Sequence, residues 1–469
     1  MPPLAGRRAR NRRKAEAMRT LMTLAGLMLS MLWAGAAGGQ GLGALGQGAP
    51  PEDLQAYAQK IQAEIAAIRG LEFKRPLKVE NQSIDDFGAY LDKQLAEDIP
   101  AEIADNFDAI VRKLGLYRGP KIEDMRATMK LLLQSQAAAY YDPKTDAFYV
   151  LMEGLSGMML GMTYSHEIYH ALQDQHFDLD KYVLSASGDE LNEDELLARQ
   201  AVVEGEASYV MTYWLFQSMT GSPPPPQILE MTIRQQADMT TEEIRASMSD
   251  PIMMAMMPEE LREAVAAMDD LPAFMMELLA GAYTKGMEFV YEIRKGGWAQ
   301  VEELYREYPP RSTEHILHPE KWIARESPSR IRWAEFEGAE ALKGWKALDD
   351  NTLGEIQWRV IFSEHGLRET GKSAAAGWDG DSYAVFKGED SEEMLLLLYT
   401  CWDDEGEAAE FESAYRDLLA VKHDGVDEAF RVEREGLDVY IVEGGTAETL
   451  DAKMAFVRSA KKEKPAEDR

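Results

Sequence analysis

The residues best suited to chemistry are His166, Glu167 and His170, in the string His166-Glu-Ile-Tyr-His170. A helix advances about 100° per residue, so positions four apart stand one turn apart on one face. Two imidazoles at that spacing can grip a single zinc ion, and the glutamate between them lies beside the open coordination position. Zinc brings the pKa of a water toward neutrality, and a neighbouring carboxylate can then take its proton.

A catalytic zinc needs a third protein ligand. His176, six residues past His170, has the spacing of the three-histidine form of the motif. Gln173, however, stands where that form carries its bend-forming glycine. Glu204 is the other candidate. It falls 34 residues past His170 on a separate helical stretch, and two antiparallel helices joined by the 176–192 loop would bring it opposite the histidine face. Gly205 beside it permits a close helix approach, and Glu206 is left to bond locally. Tyr283, His315 and His318 are the candidate donors to an oxyanion, with His318, just before Pro319, preferred. Asp174 and Glu206 are the candidate acceptors behind the ligand imidazoles.

These residues need two long helices to hold them. The motif helix is expected over 155–175 and the Glu204 helix over 193–217, stopped by Gly-Ser-Pro-Pro-Pro-Pro at 221–226. Helical patterning also covers 51–71, 79–92, 99–115 and 123–136. Between them and the motif lies a hairpin, an aromatic strand turning at 140–146 into Ala147-Phe-Tyr-Val150. Its edge could pair with an extended substrate, or the hairpin could be purely structural. The methionine-rich stretch 227–308 reads as a helical core or as an adaptable groove wall. Beyond residue 332 the texture changes. Strands are expected at 381–387, 394–402, 429–434 and 437–442, and helices at 404–419 and 446–456. The fold class expected is α+β, a mainly helical domain with a small edge hairpin followed by a smaller α+β domain with an antiparallel sheet.

His166-Glu-Ile-Tyr-His170 followed by Val203-Glu-Gly-Glu-Ala207 resembles the gluzincin class of zinc metallopeptidases. The longer string from His166 to Leu179, the Ser-Thr-Glu-His-Ile-Leu-His-Pro segment at 312–319 and Gly377-Trp-Asp-Gly-Asp381 resemble a group of exported bacterial metallopeptidases whose substrates are not known. The resemblance implies a zincin-like domain, with His166, His170 and Glu204 as zinc ligands and Glu167 as the catalytic residue.

The whole chain sets the limits. At 469 residues, 45% hydrophobic and 28% charged, it is long enough for two or three domains with a sizeable core. A formal net charge of -32 opposes nucleic-acid and anionic-membrane partners. The single cysteine, Cys401, excludes an internal disulfide and multi-cysteine metal sites, and its apolar context points to burial. A basic leader, an apolar run and small residues before position 37 form a signal-peptide pattern, with an uncleaved membrane anchor as the alternative. The expected organisation is a signal peptide at 1–36, a spacer at 37–50, a catalytic region at 51–330, a C-terminal α+β domain at 331–457 and a loose charged tail at 458–469. No later stretch reads as a membrane span.

The function these features imply is zinc-dependent hydrolysis of peptide or protein substrates outside the cytoplasm, periplasmic or extracellular. A structural calcium ion fits so acidic a chain, although no EF-hand spacing occurs. The alternatives are a non-proteolytic metal-containing envelope protein that binds a partner, and an amidase acting on cell-wall peptides. The 37–150 region could cover the cleft or belong to the scaffold.

Overall fold

The computed structural model of the chain describes residues 53–135, 138–151, 157–184, 191–256 and 259–464. The expected signal peptide and spacer therefore lie outside the described residues.

The N-terminal part opens with the helix Leu54–Arg69, whose first turn is capped by the Asp53 side chain on the Ala56 N–H. The 79–92 helical stretch is corrected at its start. Lys78–Asn81 is a strand, β1, and the helix begins only at Ile84, capped by Ser83. β1 is drawn into extended form by parallel pairing with β3 (Ala147–Val150), which also pairs antiparallel with β2 (Ala139–Asp142). The expected hairpin is thus the larger part of a three-stranded sheet with order β1-β3-β2, and β2 is its edge. Helices Ala101–Leu114 and Met125–Gln134 complete this layer.

The motif helix is Gly157–Phe177 and the Glu204 helix is Glu193–Thr220. The second is capped at Asn192, whose side chain accepts the Glu195 N–H, and ends at Gly221 in the left-handed region, φ 71°. Both helices are buried almost all round. A helix apolar or small-residued on every face belongs inside a large domain rather than on its surface. A third long helix, Ala273–Arg294, lies against the Glu204 helix. The methionine-rich stretch supplies buried Met268, Met275, Met276 and Met287 to the common core, so core packing is what these side chains do.

Beyond β4 (Arg330–Arg332) the chain builds a five-stranded antiparallel sheet from β5 (Trp345–Asn351), β6 (Trp378–Gly388), β7 (Met394–Trp402), β8 (Phe430–Glu435) and β9 (Asp438–Glu443), in the order β5-β6-β7-β9-β8. Successive side chains of a strand point to opposite faces. Leu396, Leu398, Val439 and Ile441 face the core shared with the helices, while Leu395, Leu397, Tyr440, Val442 and Cys401 face a second, smaller core. Burial on both faces explains why β7 reads as a continuous apolar run. The shared core extends from Ala58 to Ile441, so the helical and sheet parts are packed as one body.

Two features of this part depart from expectation. β5 is a strand although Asp349, Asp350 and Asn351 fill its buried end. Their polar atoms are used: Asp349 accepts from the Tyr383 hydroxyl at 3.0 Å, and Asn351 accepts the Glu193 N–H at 2.9 Å. The tail is also corrected. Lys461–Glu463 forms β10, antiparallel to β4, because Glu463 pairs with Arg332 and Lys462 with Asp438. Among the described residues, no helix is long and apolar enough to cross a membrane.

Candidate metal centre

The motif helix and the Glu204 helix bring three donor atoms to one point. His166 Nε2 and His170 Nε2 are 3.1 Å apart, and Glu204 Oε2 lies 3.2 Å from the first and 3.4 Å from the second. A tetrahedral zinc with bonds of about 2.0–2.1 Å has ligand atoms about 3.3 Å apart, so the triangle has the size the ion requires. All three side chains are buried, at 0%, 2% and 1% exposure. Glu167 belongs to the same cluster, with a donor atom within 4.8 Å of both imidazoles. The residues fit a divalent cation: two imidazole nitrogens and a carboxylate oxygen converge with nothing else between them, and a buried carboxylate without a cation would be costly. Among the described residues this is the one such cluster, so the calcium expected from the acidic composition has no second cluster to occupy.

The electrostatics keep the donors in the states a ligand needs. Burial works against ionised Glu204, but the two imidazoles outweigh it and hold the carboxyl down to about 2. Burial lowers His166. For His170 burial also acts downward, yet the charges of Glu204 and Glu167 carry it up to about 9. Glu167 is pushed up to about 8 by burial, with the Glu204 charge adding to it, while His170 and the Tyr141 N–H act the other way. That N–H, from the edge strand β2, donates to Glu167 Oε2 at 3.1 Å. The hairpin therefore orients the glutamate, and this backbone group of the edge is spoken for.

Gln173 is the residue the sequence reading missed. Its Oε1 meets His170 Nδ1 at 2.8 Å, and its amide nitrogen donates to the Val203 carbonyl, Glu206 Oε2 and the Tyr305 hydroxyl oxygen. It had been noted only as a missing glycine. The signal was its spacing, since a side chain three positions on from a helical histidine faces the same side and can reach the ring. Asp174, expected in this role, instead accepts from Tyr141 and the Leu179 N–H. Glu206 acts at one remove. It accepts from Gln173, from the Tyr305 hydroxyl at 2.6 Å and from Arg69 Nε at 2.7 Å. Arg69 is 1% exposed, so the first helix supplies the counter-charge beneath the centre. Deleting that helix would leave Glu206 buried and unpaired, which is strongly destabilising. The N-terminal region is scaffold in this arrangement.

The remaining candidates separate cleanly. The Tyr283 ring stacks 5.9 Å from that of His166, and its buried hydroxyl has no well-formed hydrogen bond. Burial, then the charges of Glu204 and Glu167, raise its pKa far above the ordinary tyrosine value. It faces the cluster as a proton-bearing group. His318 does not join it; its Nε2 lies 3.0 Å from a Glu355 oxygen, on a helix of the C-terminal part. The preference for His318 over Tyr283 is thereby reversed, because the buried Glu355 carboxylate claims the imidazole. His315 clamps a turn, accepting the Arg311 N–H and bonding the Glu326 carbonyl at 2.7 Å. His176 points away to the Glu72 carbonyl at 2.8 Å, as expected for a helix that runs on to Phe177.

Gly205 makes its close approach to a different helix from the one expected. A Cβ there would lie 2.1 Å from the Gly286 carbonyl carbon, on the helix that carries Tyr283. The motif helix has its own small residue, Gly161, against which the Trp214 ring packs. The amino end of the Glu204 helix is fixed from the C-terminal half. Asn351 bonds the Glu193 N–H, Arg330 pairs with Glu195, and Asp194 accepts from the Thr313 hydroxyl at 2.5 Å and N–H at 3.1 Å.

His166-Glu-x-x-His170 on a helix, with a glutamate facing both histidines, is an HExxH metal-binding site of the zinc metallopeptidase type, and it can coordinate a divalent cation. A family model described as a domain of unknown function (DUF8575) matches residues 340–454, the stretch that carries Asn351 and the five-stranded sheet rather than the metal cluster. No curated protein and no solved structure matches the chain.

Proposed function

We propose that the protein is a zinc-dependent hydrolase of peptide bonds, acting on exported or envelope proteins and peptides. The observation that carries this reading is the triangle of His166 Nε2, His170 Nε2 and Glu204 Oε2, with Glu167 adjacent and not needed to complete it. Zinc held there would supply Lewis-acid activation of a water and of a peptide carbonyl.

The chain's own residues do the rest. Glu167 takes a proton from the attacking water and returns it to the departing amine, and a value near 8 lets it serve both steps close to neutral pH. The Tyr141 N–H holds its carboxylate in place. Tyr283 offers its O–H where negative charge develops on the carbonyl oxygen. Gln173 fixes the His170 ring so that Nε2 faces the metal. The cluster is shut off from solvent in this conformation, so a substrate reaches it through an opening motion. Export rests on the basic leader and apolar run before residue 37.

The deciding experiment pairs two variants of the full chain. Glu167→Gln should retain about one zinc per chain by elemental analysis while peptide hydrolysis falls by about 10²–10⁴. Glu204→Ala should lose the zinc. Full hydrolysis by the first, or full zinc occupancy in the second, refutes the assignment.

A further inference from the structure

One region opposes the charge of the rest of the chain. A cleft of about 900 Å³ opens beside the carboxyl end of the motif helix, between the helix Trp298–Arg306 and the β4–β10 ribbon. Arg199, Arg306, Arg311, Arg330, Arg332 and Lys464 line it, joined by Lys181. Against these seven cations stand four anions, Asp178, Glu195, Glu307 and Glu463. A local excess of three positive charges in a chain of net charge -32 is a place where field lines of the other sign converge.

The cations are pre-positioned. Glu195 takes both Arg199 and Arg330, Glu463 takes Arg332, and the Arg306 guanidinium lies 4.9 Å over the Phe177 ring. They are also spread along the cleft. A single phosphate needs several donors focused on one point, whereas dispersed arginines suit carboxylates carried at intervals on a chain. The wall between them is aromatic: Phe177 stacks on Tyr305 at 4.2 Å, and Tyr182 lies 4.9 Å from Tyr305. Flat rings give the apolar stems and backbone of such a chain something to lie against. Tyr305 links this wall to the metal centre, because its hydroxyl oxygen receives the Gln173 amide at 2.8 Å and Gln173 meets His170.

We infer that this cleft binds an acidic peptide segment. Resting on the hydrolase reading above, it selects substrates that carry an Asp- or Glu-rich stretch away from the bond that is cleaved. Occupancy would be felt at His170 through Tyr305 and Gln173.

The test is direct binding to the full chain carrying Glu167→Gln, so that the peptide stays whole. Fluorescein-labelled hexaglutamate is titrated and read by anisotropy, with hexaglutamine as the control. The comparison protein adds K181E, R332E and K464E; the Arg332 and Lys464 side chains are 62% and 66% exposed, and Lys181 is exposed, so the fold should hold. Saturable binding of hexaglutamate, at least tenfold tighter than hexaglutamine and at least tenfold weaker in the charge-reversed protein, supports the site. The neutral set K181Q, R332Q and K464Q should fall between. No saturable binding, equal binding of hexaglutamine, or an unaffected charge-reversed protein of unchanged melting temperature overturns it. Displacement by inorganic phosphate at the same concentration as unlabelled hexaglutamate overturns the peptide in favour of a small anion. None of these readouts needs turnover, so their failure leaves the hydrolase assignment standing, and loss of that assignment leaves the binding result standing.

Discussion

Gly205 and Gly286 cross so closely that a Cβ on Gly205 would lie 2.1 Å from the carbonyl carbon and 2.3 Å from the carbonyl oxygen of Gly286. The reciprocal position is as tight, since a Cβ on Gly286 would meet the Ala201 carbonyl oxygen at 2.0 Å. This crossing sets the distance between the helix bearing Glu204 and the helix bearing Tyr283. The atoms in the way are backbone and cannot swing aside. Gly205→Ala should therefore force the helices apart, costing about 1–3 kcal/mol or more. A lowered melting temperature together with reduced metal content is the expected result; an unchanged melting temperature would show that the crossing can relax.

Gln173 should matter to the metal without touching it. Gln173→Leu keeps the volume and removes the partner of His170 Nδ1. Loss of such a partner typically weakens metal affinity or activity by about 10–100-fold. Zinc affinity measured by competition with a chromophoric chelator reads this directly. A structural role alone would lower the melting temperature and leave zinc affinity untouched.

Tyr283→Phe separates the hydroxyl from the ring. The ring packing against His166 is kept, so zinc content should match the unaltered protein. If the O–H steadies negative charge during hydrolysis, kcat should fall by about 10²–10³ with little change in KM. Full activity would move the donor role elsewhere.

His315 predicts a loss of stability in acid. Burial pushes this imidazole down to about 4, and its two ring nitrogens are already bonded to the turn it clamps. An unfolded histidine titrates near ~6.5. Above that pH neither state takes the proton. Below it the unfolded chain does and the folded chain does not, so stability present above ~6.5 is lost as the pH falls to about 4, by an amount on the order of 3 kcal/mol. Denaturant unfolding of the unaltered protein and of His315→Gln across this window should show a shallower acid slope in the variant. Equal slopes would mean that His315 does not set it.

Much of the centre was legible in the chain. The spacing of His166 and His170 depends on helical periodicity alone, and periodicity is a local property. The strands at 394–402 and 437–442 could be read for the same reason, as runs that satisfy both faces of a sheet. β5 could not, because its buried aspartates and asparagine are explained only by partners far along the sequence, Tyr383 and Glu193.

The sequence by itself determined that two imidazoles and a carboxylate share one helix, since every residue involved lies within five positions. It left open whether Glu204 or His176 completes the set, which of Tyr283 and His318 faces it, and which helix Gly205 touches. Those choices belong to the tertiary structure alone. They turn on how three long helices cross, and the crossing is decided by side-chain volumes and backbone approaches between residues that are 30 to 120 positions apart.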